Sequence, residues 1–345
     1  MGVYKPVIIS ASRRTDIPAF YWEWFMHRVR EKYVVAVNPL FRNQVFPLSL
    51  DPRDVEAIVF WTKNPAPCLD GLPQLEEAGF RGRLFFQVTV NPYTQTPLEE
   101  NLPSLAERIE ALATLARHIG REHIFFRYDP LLLARGSQCI DAAYHKEQFG
   151  FLLRKIAPFV SRVITSVVDT YRKSQVNFRR LLTEHNLEVL IPDSTVLGTL
   201  AQILVEEAAA QGLQVYSCAE GGKTLQVLNQ AGVITGSCID LAYIGGYLPT
   251  PVILKDKQKD PAQRPACGCT KSRDIGAYNT CLARCKYCYA TDFRLTPRLI
   301  DPRVDLSLDV INLDDSLRRR IEKLRDEQRE IPANKRAILK TCVYK

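Results

Sequence analysis

Residues 7–16 read Val-Ile-Ile-Ser-Ala-Ser-Arg-Arg-Thr-Asp, a short apolar run that ends in polar and charged residues. Continuous apolar runs of this kind are typical of strands that are buried on both faces, as in a parallel sheet. Six further runs also end in polar or proline-marked residues: Tyr33–Val37, Ala57–Trp61, Leu84–Val90, Ile124–Phe126, Val163–Val168 and Leu213–Tyr216. The run at 7–11 therefore predicts the first strand of a repeating arrangement.

The stretches between the apolar runs have helical spacing. Leu105, Ile109 and Leu112, for example, recur at intervals of three and four residues. Strands that alternate with helices predict βα units, and seven such units favour a TIM-like β/α barrel within the α/β class. We take Ile239–Ile244 as the candidate eighth strand, and a doubly wound open sheet is the alternative fold.

This pattern divides the chain into three predicted parts. Residues 1–250 form the β/α barrel, residues 251–295 a cysteine-rich cluster-binding segment, and residues 296–345 a C-terminal helical extension. Within the extension, Leu317, Ile321 and Leu324 lie on one predicted helix face.

Polar residues follow nearly every predicted strand. In a barrel these residues face one common mouth, where such enzymes place their chemistry. We therefore expect Arg13, Asp16, Arg127 and Asp129 as catalytic candidates, and Lys63 and Asn64 as cofactor-binding candidates. The arginines are suited to carboxylates or phosphates. The alternative is that these charged side chains neutralise one another.

Hydropathy argues against a membrane-spanning protein, and the charge distribution bears on the kind of partner. The chain has 345 residues, 46% of them hydrophobic, and no apolar stretch reaches the ~18 residues of a membrane span. Without a signal-peptide pattern, we expect a cytoplasmic protein with no membrane partner. Residues 1–250 contain 25 basic and 25 acidic side chains, so the whole excess of +8 lies in residues 251–345. That excess indicates either an anionic partner, such as a nucleotide or nucleic acid, or a solvated basic surface.

Five of the ten cysteines fall between Cys267 and Cys288. Because cytosolic thiols are kept reduced, clustered cysteines there indicate metal or redox chemistry. Cys281, Cys285 and Cys288 have the spacing C-x₃-C-x₂-C, and we call residues 281–288 the three-cysteine loop. Iron–sulfur clusters usually take four cysteine ligands, so three from one loop would leave one iron open to a substrate or cosubstrate.

The three-cysteine loop, with Tyr289 and Ala290 after it, resembles the cluster loop of radical S-adenosylmethionine enzymes. The likeness is strongest to the spore photoproduct lyase-like branch, where the third cysteine lies within Tyr-Cys-Tyr. The resemblance implies a [4Fe-4S] cluster on Cys281, Cys285 and Cys288 and S-adenosylmethionine on its open iron. It further implies release of a 5′-deoxyadenosyl radical, an electron donor such as a ferredoxin or flavodoxin, and a full or partial β/α barrel.

Nearly the whole chain is also similar to a bacterial and archaeal family of unknown function with an N-terminal Ser-Arg-Arg-Thr-Asp and a C-terminal cysteine cluster. The sequence departs from radical S-adenosylmethionine enzymes in two respects. Their cysteine loop normally follows the first strand, whereas here it follows the seventh or eighth, and Gly-Gly-Glu-Pro is absent after the second strand. Because a barrel is circular, a loop arriving after the last strand reaches the same mouth.

Four more cysteines form a candidate second site: Cys218, Cys238, Cys267 and Cys269. Four thiolates suit either a second [4Fe-4S] cluster or a tetrahedral zinc ion, and ordinary buried thiols are the simpler interpretation. Our main hypothesis is a radical S-adenosylmethionine enzyme with one or two clusters and an unknown substrate, for which a nucleotide or nucleic acid is the candidate. The alternatives are a non-radical iron–sulfur enzyme and a zinc-stabilised nucleic-acid-binding protein.

Overall fold

The structure is a computed structural model that describes residues 7–38, 41, 44–94, 96–249 and 258–292. The strands in these ranges are β1 (Ile8–Ala11), β2 (Tyr33–Val37), β3 (Val45–Ser49), β4 (Ala57–Thr62), β5 (Leu84–Thr89), β6 (Ile124–Leu131), β7 (Leu133–Gly136), β8 (Arg162–Val167), β9 (Leu187–Leu190), β10 (Val215–Ser217), β11 (Ile234–Thr235) and β12 (Arg273–Asp274). The α-helices are α1 (Ile17–Phe20), α2 (Trp22–Glu31), α3 (Leu72–Leu75), α4 (Leu105–Ile119), α5 (Ala142–Ile156), α6 (Arg172–His185), α7 (Ser194–Ala209), α8 (Gly222–Gln230) and α9 (Leu241–Gly245).

Eight strands form one parallel sheet in the order β11, β10, β8, β6, β5, β4, β1, β12. From β1 to β11 the neighbours follow chain order, whereas β12, the last strand along the described chain, pairs with β1, the first. The predicted α/β class with a parallel sheet is thus confirmed. Among the described residues no ladder joins β11 to β12, so the closed TIM-like barrel is not shown.

Two predicted strands differ from the structure. The run Tyr33–Val37 forms β2, but it pairs antiparallel with β3 in a separate two-stranded sheet, because the short connection between them permits a direct hairpin. The expected eighth strand at Ile239–Ile244 is wrong. Asp240 caps a helix there by accepting a hydrogen bond from the Tyr243 backbone N–H, and α9 follows. Arg273–Asp274 takes the eighth place in the sheet instead.

The two faces of the large sheet are covered by different parts of the chain. Helices α2, α4, α5 and α7 supply apolar side chains to the larger core on one face. On the other face, Ile239 and Ile244 pack against a second cluster of strand residues, which are Ile8, Ala57, Val59, Phe85, Phe125 and Ile164. Burial on both faces explains why the strands lack polar alternation.

The cysteine-rich segment does not stand apart from the sheet. Residues 258–292 deliver β12 to the edge of β1, so much of the predicted segment 251–295 packs onto the predicted barrel region. The predicted extension 296–345, with Leu317, Ile321 and Leu324, lies outside the described residues. No helix in the described part of the chain is long and apolar enough to cross a membrane.

A buried histidine in α5 predicts a pH dependence of stability. His145 lies between the Tyr128 hydroxyl and the Leu132 carbonyl, with Nδ1 and Nε2 each 2.8 Å from the oxygen. Burial lowers the pKa of His145, so the folded state binds the proton less readily than the unfolded state. The free energy of unfolding should therefore fall as pH decreases below about 6.5, the ordinary histidine pKa.

Urea unfolding at pH 7.5 and pH 5.5 checks this expectation. In His145→Gln the difference in unfolding free energy between the two pH values should be smaller than in the parent chain. An Ala143→Gln control, at an exposed position of the same helix, should keep the parental difference. An equal pH response in the parent and His145→Gln would contradict the assignment.

Candidate metal centres at the carboxyl edge of the sheet

A carboxylate on β12 fixes the returning segment to the first strand. Asp274 accepts hydrogen bonds from Ser10 Oγ at 2.9 Å, Ser12 Oγ at 2.7 Å and the Arg13 backbone N–H at 2.8 Å. Gly276 N–H donates to the same carboxylate at 3.0 Å. These bonds place the residues after β12 at the carboxyl ends of β1 and β4, the end where parallel α/β sheets usually bind ligands.

Two partly buried arginines, Arg13 and Arg127, lie against one indole at this edge. The Cζ atoms of Arg13 and Arg127 are 5.1 and 5.0 Å from the Trp61 ring centroid, a distance at which cation–π attraction is effective. Arg127 also donates to Cys238 Sγ at 2.8 Å and forms an ion pair with Asp129. Although burial opposes the charged form, Asp129 and Cys238 raise the pKa of Arg127, so its positive charge is retained.

One guanidinium nitrogen of Arg13 makes no hydrogen bond to the described residues. Its Nη1 donates to Ser272 Oγ at 3.2 Å, whereas its buried Nη2 has no hydrogen-bond partner among the described residues. Burial disfavours the charge on Arg13, but Cys269, Asp274 and Cys238 outweigh burial and raise the pKa. A buried unpaired N–H of a charged group is costly, so this atom is suited to an anionic ligand.

The three-cysteine loop lies beside this arginine. Tyr289 donates its hydroxyl to the Arg13 carbonyl at 2.9 Å. The backbone N–H of Ala290 donates to Cys288 Sγ at 3.3 Å, and the backbone N–H groups of Ala283 and Asp16 act to lower the pKa of Cys281 against the stronger effect of burial. Such N–H···S bonds stabilise thiolates and tune iron–sulfur centres.

Burial raises the pKa of all three thiols in the loop, that of Cys281 to about 12. Nearby groups act on them in opposite directions: Lys63 favours the thiolates of Cys285 and Cys288, and Glu99 disfavours that of Cys285. Buried thiols in this environment become thiolates only when additional positive charge is present, and a bound metal supplies it. The loop is thus chemically suited to metal and poorly suited to a free reactive thiolate.

A network of charged side chains around Glu99 contacts the three-cysteine loop through Tyr287. Lys63 Nζ is 2.8 Å from Glu99 Oε1, and Arg108 Nη1 is 3.6 Å from Glu99 Oε2. Tyr287, between Cys285 and Cys288, donates its hydroxyl to Glu99, and Asn91 Nδ2 lies 3.1 Å from the same hydroxyl. Despite burial, Lys63 and Arg108 lower the pKa of Glu99, so the carboxylate is charged.

A second group of thiols lies at the ends of β10 and β11. The Sγ atoms of Cys218, Cys267 and Cys269 all lie within 4.8 Å of one another, and Cys218 Sγ is 3.7 Å from Cys269 Sγ. Cys238 lies beside this group, because the backbone N–H of the next residue, Ile239, donates to Cys269 Sγ at 3.4 Å. We call Cys218, Cys238, Cys267 and Cys269 the four-cysteine site.

The remaining catalytic and cofactor-binding candidates lie at the same edge, and each has different hydrogen-bond partners. Asp16 accepts from the backbone N–H groups of Ala19 and Lys63, and burial raises its pKa to about 6. Asn64 accepts from the Ala66 backbone N–H at 3.1 Å and so shapes the turn after β4. Asp129 binds Arg127 and Ser166, as the neutralisation alternative expects. Cys68 and Cys139 lie outside both cysteine groups.

Sequence reasoning missed four residues of this edge: Trp61, Glu99, Tyr287 and Asp274. Trp61 and Tyr287 each had a signal, since one ends a predicted strand and the other lies inside the three-cysteine loop. Glu99 and Asp274 gave none, because single acidic residues in connecting segments are common. Their importance follows from burial and partners, which only the folded chain shows.

Comparison with known families identifies the chain at the family level. The family model described as "Domain of unknown function (DUF1848)" matches residues 8–290, more than three quarters of the sequence. The chain belongs to this family. The predicted similarity to a family of unknown function is thereby confirmed, and the DUF1848 region contains both the four-cysteine site and the three-cysteine loop. A search of the curated proteins finds no match.

Among solved structures, the chain is similar to parts of a D-hydantoinase and a dihydropyrimidinase. D-hydantoinase from Bacillus sp. AR9 is 14% identical, with 53% of this chain and 38% of that chain covered and a TM-score of 0.24. Dihydropyrimidinase from Brevibacillus agri NCHU1002 is 13% identical, with 52% and 36% covered and the same TM-score of 0.24. The chain thus matches less than half the length of either enzyme.

Proposed function

We propose that this DUF1848 member is an iron–sulfur enzyme of the radical S-adenosylmethionine type. The observation that carries the proposal is the position of Cys281, Cys285 and Cys288, buried or half-buried in one loop at the carboxyl edge of a parallel sheet. Three ligands from one loop would leave one iron of a four-iron cluster open to S-adenosylmethionine, which a closed single-ion site does not offer.

The residues of the edge fit such a cofactor. The backbone N–H of Ala290 donates to Cys288 Sγ, and Lys63 supplies positive charge near Cys285 and Cys288. When bound, a reduced [4Fe-4S] cluster and S-adenosylmethionine together supply a 5′-deoxyadenosyl radical that abstracts a hydrogen atom from substrate. The three thiolates hold the cluster, and the free Nη2 of Arg13 is the donor we assign to a carboxylate of cosubstrate or substrate.

The strand order supports the permuted position of the loop. The three-cysteine loop follows β12, which neighbours β1, so it reaches the place that a loop leaving β1 itself would occupy. We extend this to the scaffold and propose a β/α barrel whose remaining opening lies between β11 and β12. A ferredoxin or flavodoxin is the proposed class of electron donor, and a nucleotide or nucleic acid the proposed substrate class.

Anaerobic reconstitution tests the function directly. We expect the dithionite-reduced protein to give a [4Fe-4S]⁺ EPR signal that changes when S-adenosylmethionine is added, with 5′-deoxyadenosine released. A cluster EPR signal that does not change when S-adenosylmethionine is added would instead support a non-radical iron–sulfur enzyme. Zinc without iron or labile sulfide would overturn both the radical and the non-radical iron–sulfur hypotheses. It would favour the zinc-stabilised nucleic-acid-binding protein.

A further inference from the structure

Three sulfurs of the four-cysteine site, those of Cys218, Cys267 and Cys269, are as close together as the ligands of a single metal ion. In a tetrahedral zinc site with Zn–S bonds of ~2.3 Å, two sulfurs are separated by about 3.8 Å. Cys218 Sγ and Cys269 Sγ are 3.7 Å apart, and Cys267 Sγ lies within 4.8 Å of both. A four-iron cluster gives each cysteine a different iron, which requires wider separations than a shared ion does.

We propose that Cys218, Cys238, Cys267 and Cys269 bind one zinc ion in a closed, structural site. The donor set is complete, since four thiolates fill a tetrahedral shell and leave no position for a substrate. This goes beyond the proposed function, because it assigns a mononuclear ion where the sequence left a second cluster, zinc or plain buried thiols open.

The surroundings offset the charge of such a site. Four thiolates around Zn²⁺ carry a net charge of −2, and the guanidinium of Arg127 donates to Cys238 Sγ at 2.8 Å. Arg13 supplies a second positive charge, since Cys269 and Cys238 interact with it electrostatically. Ile239 N–H lies 3.4 Å from Cys269 Sγ and adds a neutral donor. Such outer partners fix metal ligands and typically change affinity by about 10–100-fold.

The four proposed ligands come from three separate stretches of chain, so a bound ion would cross-link these stretches. Cys218 follows β10, Cys238 follows β11, and Cys267 with Cys269 lies at the start of the segment that forms β12. Near them, Thr270 N–H donates to the Ile239 carbonyl at 3.0 Å, and Asp260 N–H to the Cys269 carbonyl at 2.9 Å. A zinc ion here would fasten the returning segment across the open side of the sheet, between β11 and β12.

Metal analysis of a chain without the three-cysteine loop ligands tests the zinc site alone. We expect a Cys281→Ala/Cys285→Ala/Cys288→Ala variant, grown with both iron and zinc, to retain about one zinc per chain and no acid-labile sulfide. Adding Cys269→Ala should lower zinc at least ~10-fold. Adding Cys68→Ala, at a buried cysteine outside the site, should leave zinc unchanged.

Two outcomes would overturn the proposal: iron with labile sulfide in the triple variant, which means a second cluster, or no bound metal at all. X-ray absorption of the zinc in the triple variant needs no change to the site and should show four sulfurs at ~2.3 Å. Nitrogen or oxygen in that shell would also overturn it. Because the three-cysteine loop carries no ligand in this variant, failure of the proposed radical function would not affect the result.

Discussion

Cys285→Ala will lose its iron and labile sulfide and with them the reductive cleavage of S-adenosylmethionine. Cys285 is 5% exposed and lies close to Lys63, Cys281 and Cys288. Alanine offers no ligand atom, so the cluster keeps two protein ligands at most. Since outer partners of metal ligands alone change affinity by about 10–100-fold, loss of a ligand should reduce 5′-deoxyadenosine formation by more than ~100-fold.

The matched control is Cys68→Ala, which removes the same sulfur atom from a fully buried cysteine outside both cysteine groups. Iron, labile sulfide and product should be measured in both variants after identical anaerobic reconstitution. The control should retain parental values. Parental iron, sulfide and 5′-deoxyadenosine in Cys285→Ala would show that the three-cysteine loop holds no cluster.

Glu99→Gln should destabilise the fold by about 3–5 kcal/mol, the typical cost of removing one partner from a buried ion pair. The side chain of Arg108 is fully buried and that of Lys63 is 14% exposed, so both positive charges would remain with little solvent to compensate them. Glutamine preserves the shape of the side chain and the acceptor for Tyr287, but it removes the negative charge. The effect should therefore exceed that of losing a single hydrogen bond.

Urea unfolding measures this effect, and the Cys285→Ala background keeps metal loading equal in all chains. The control is Glu110→Gln, which breaks an ion pair with Arg117 at 2.6 Å between side chains that are 71% and 59% exposed. Exposed pairs contribute about 0.2–1 kcal/mol, so this variant should stay close to the parent. Equal losses in the two variants would mean that the Glu99 network is not a buried charge centre.

The sequence was sufficient for the repeating βα pattern because buried parallel strands leave long apolar runs. Of the four cysteines predicted as a second site, the structure brings the sulfurs of Cys218, Cys267 and Cys269 within 4.8 Å of one another. The sequence pattern failed at Ile239–Ile244, where a short apolar run is equally compatible with strand and helix and the Asp240 cap decides for helix. It also failed at β12, because Arg273–Asp274 is a two-residue polar strand with no hydrophobic signal.

The site was predictable only as a set of residue types at strand ends. Arg13, Arg127, Asp16 and Lys63 all lie near the carboxyl edge, as expected from the rule that strand ends converge. Their partners could not be predicted. Arg127 contacts Cys238, 111 residues away in sequence, and Lys63 contacts Glu99 from a separate loop. Long-range pairing of this kind depends on how the sheet curves, and periodicity carries no information about curvature.

The pairing of β12 with β1 has a consequence for synthesis on the ribosome. Ser10 and Asp274 are 264 residues apart, so at about 5–20 residues per second the first strand waits roughly 13–50 s for its neighbour. During that time one edge of β1 has unpaired backbone groups, and exposed edges of this kind invite association with other chains. Neither cysteine group is complete before the same late stretch emerges. If the two cysteine groups bind metal as proposed, the metal can enter only after residues 267–288 have emerged from the ribosome.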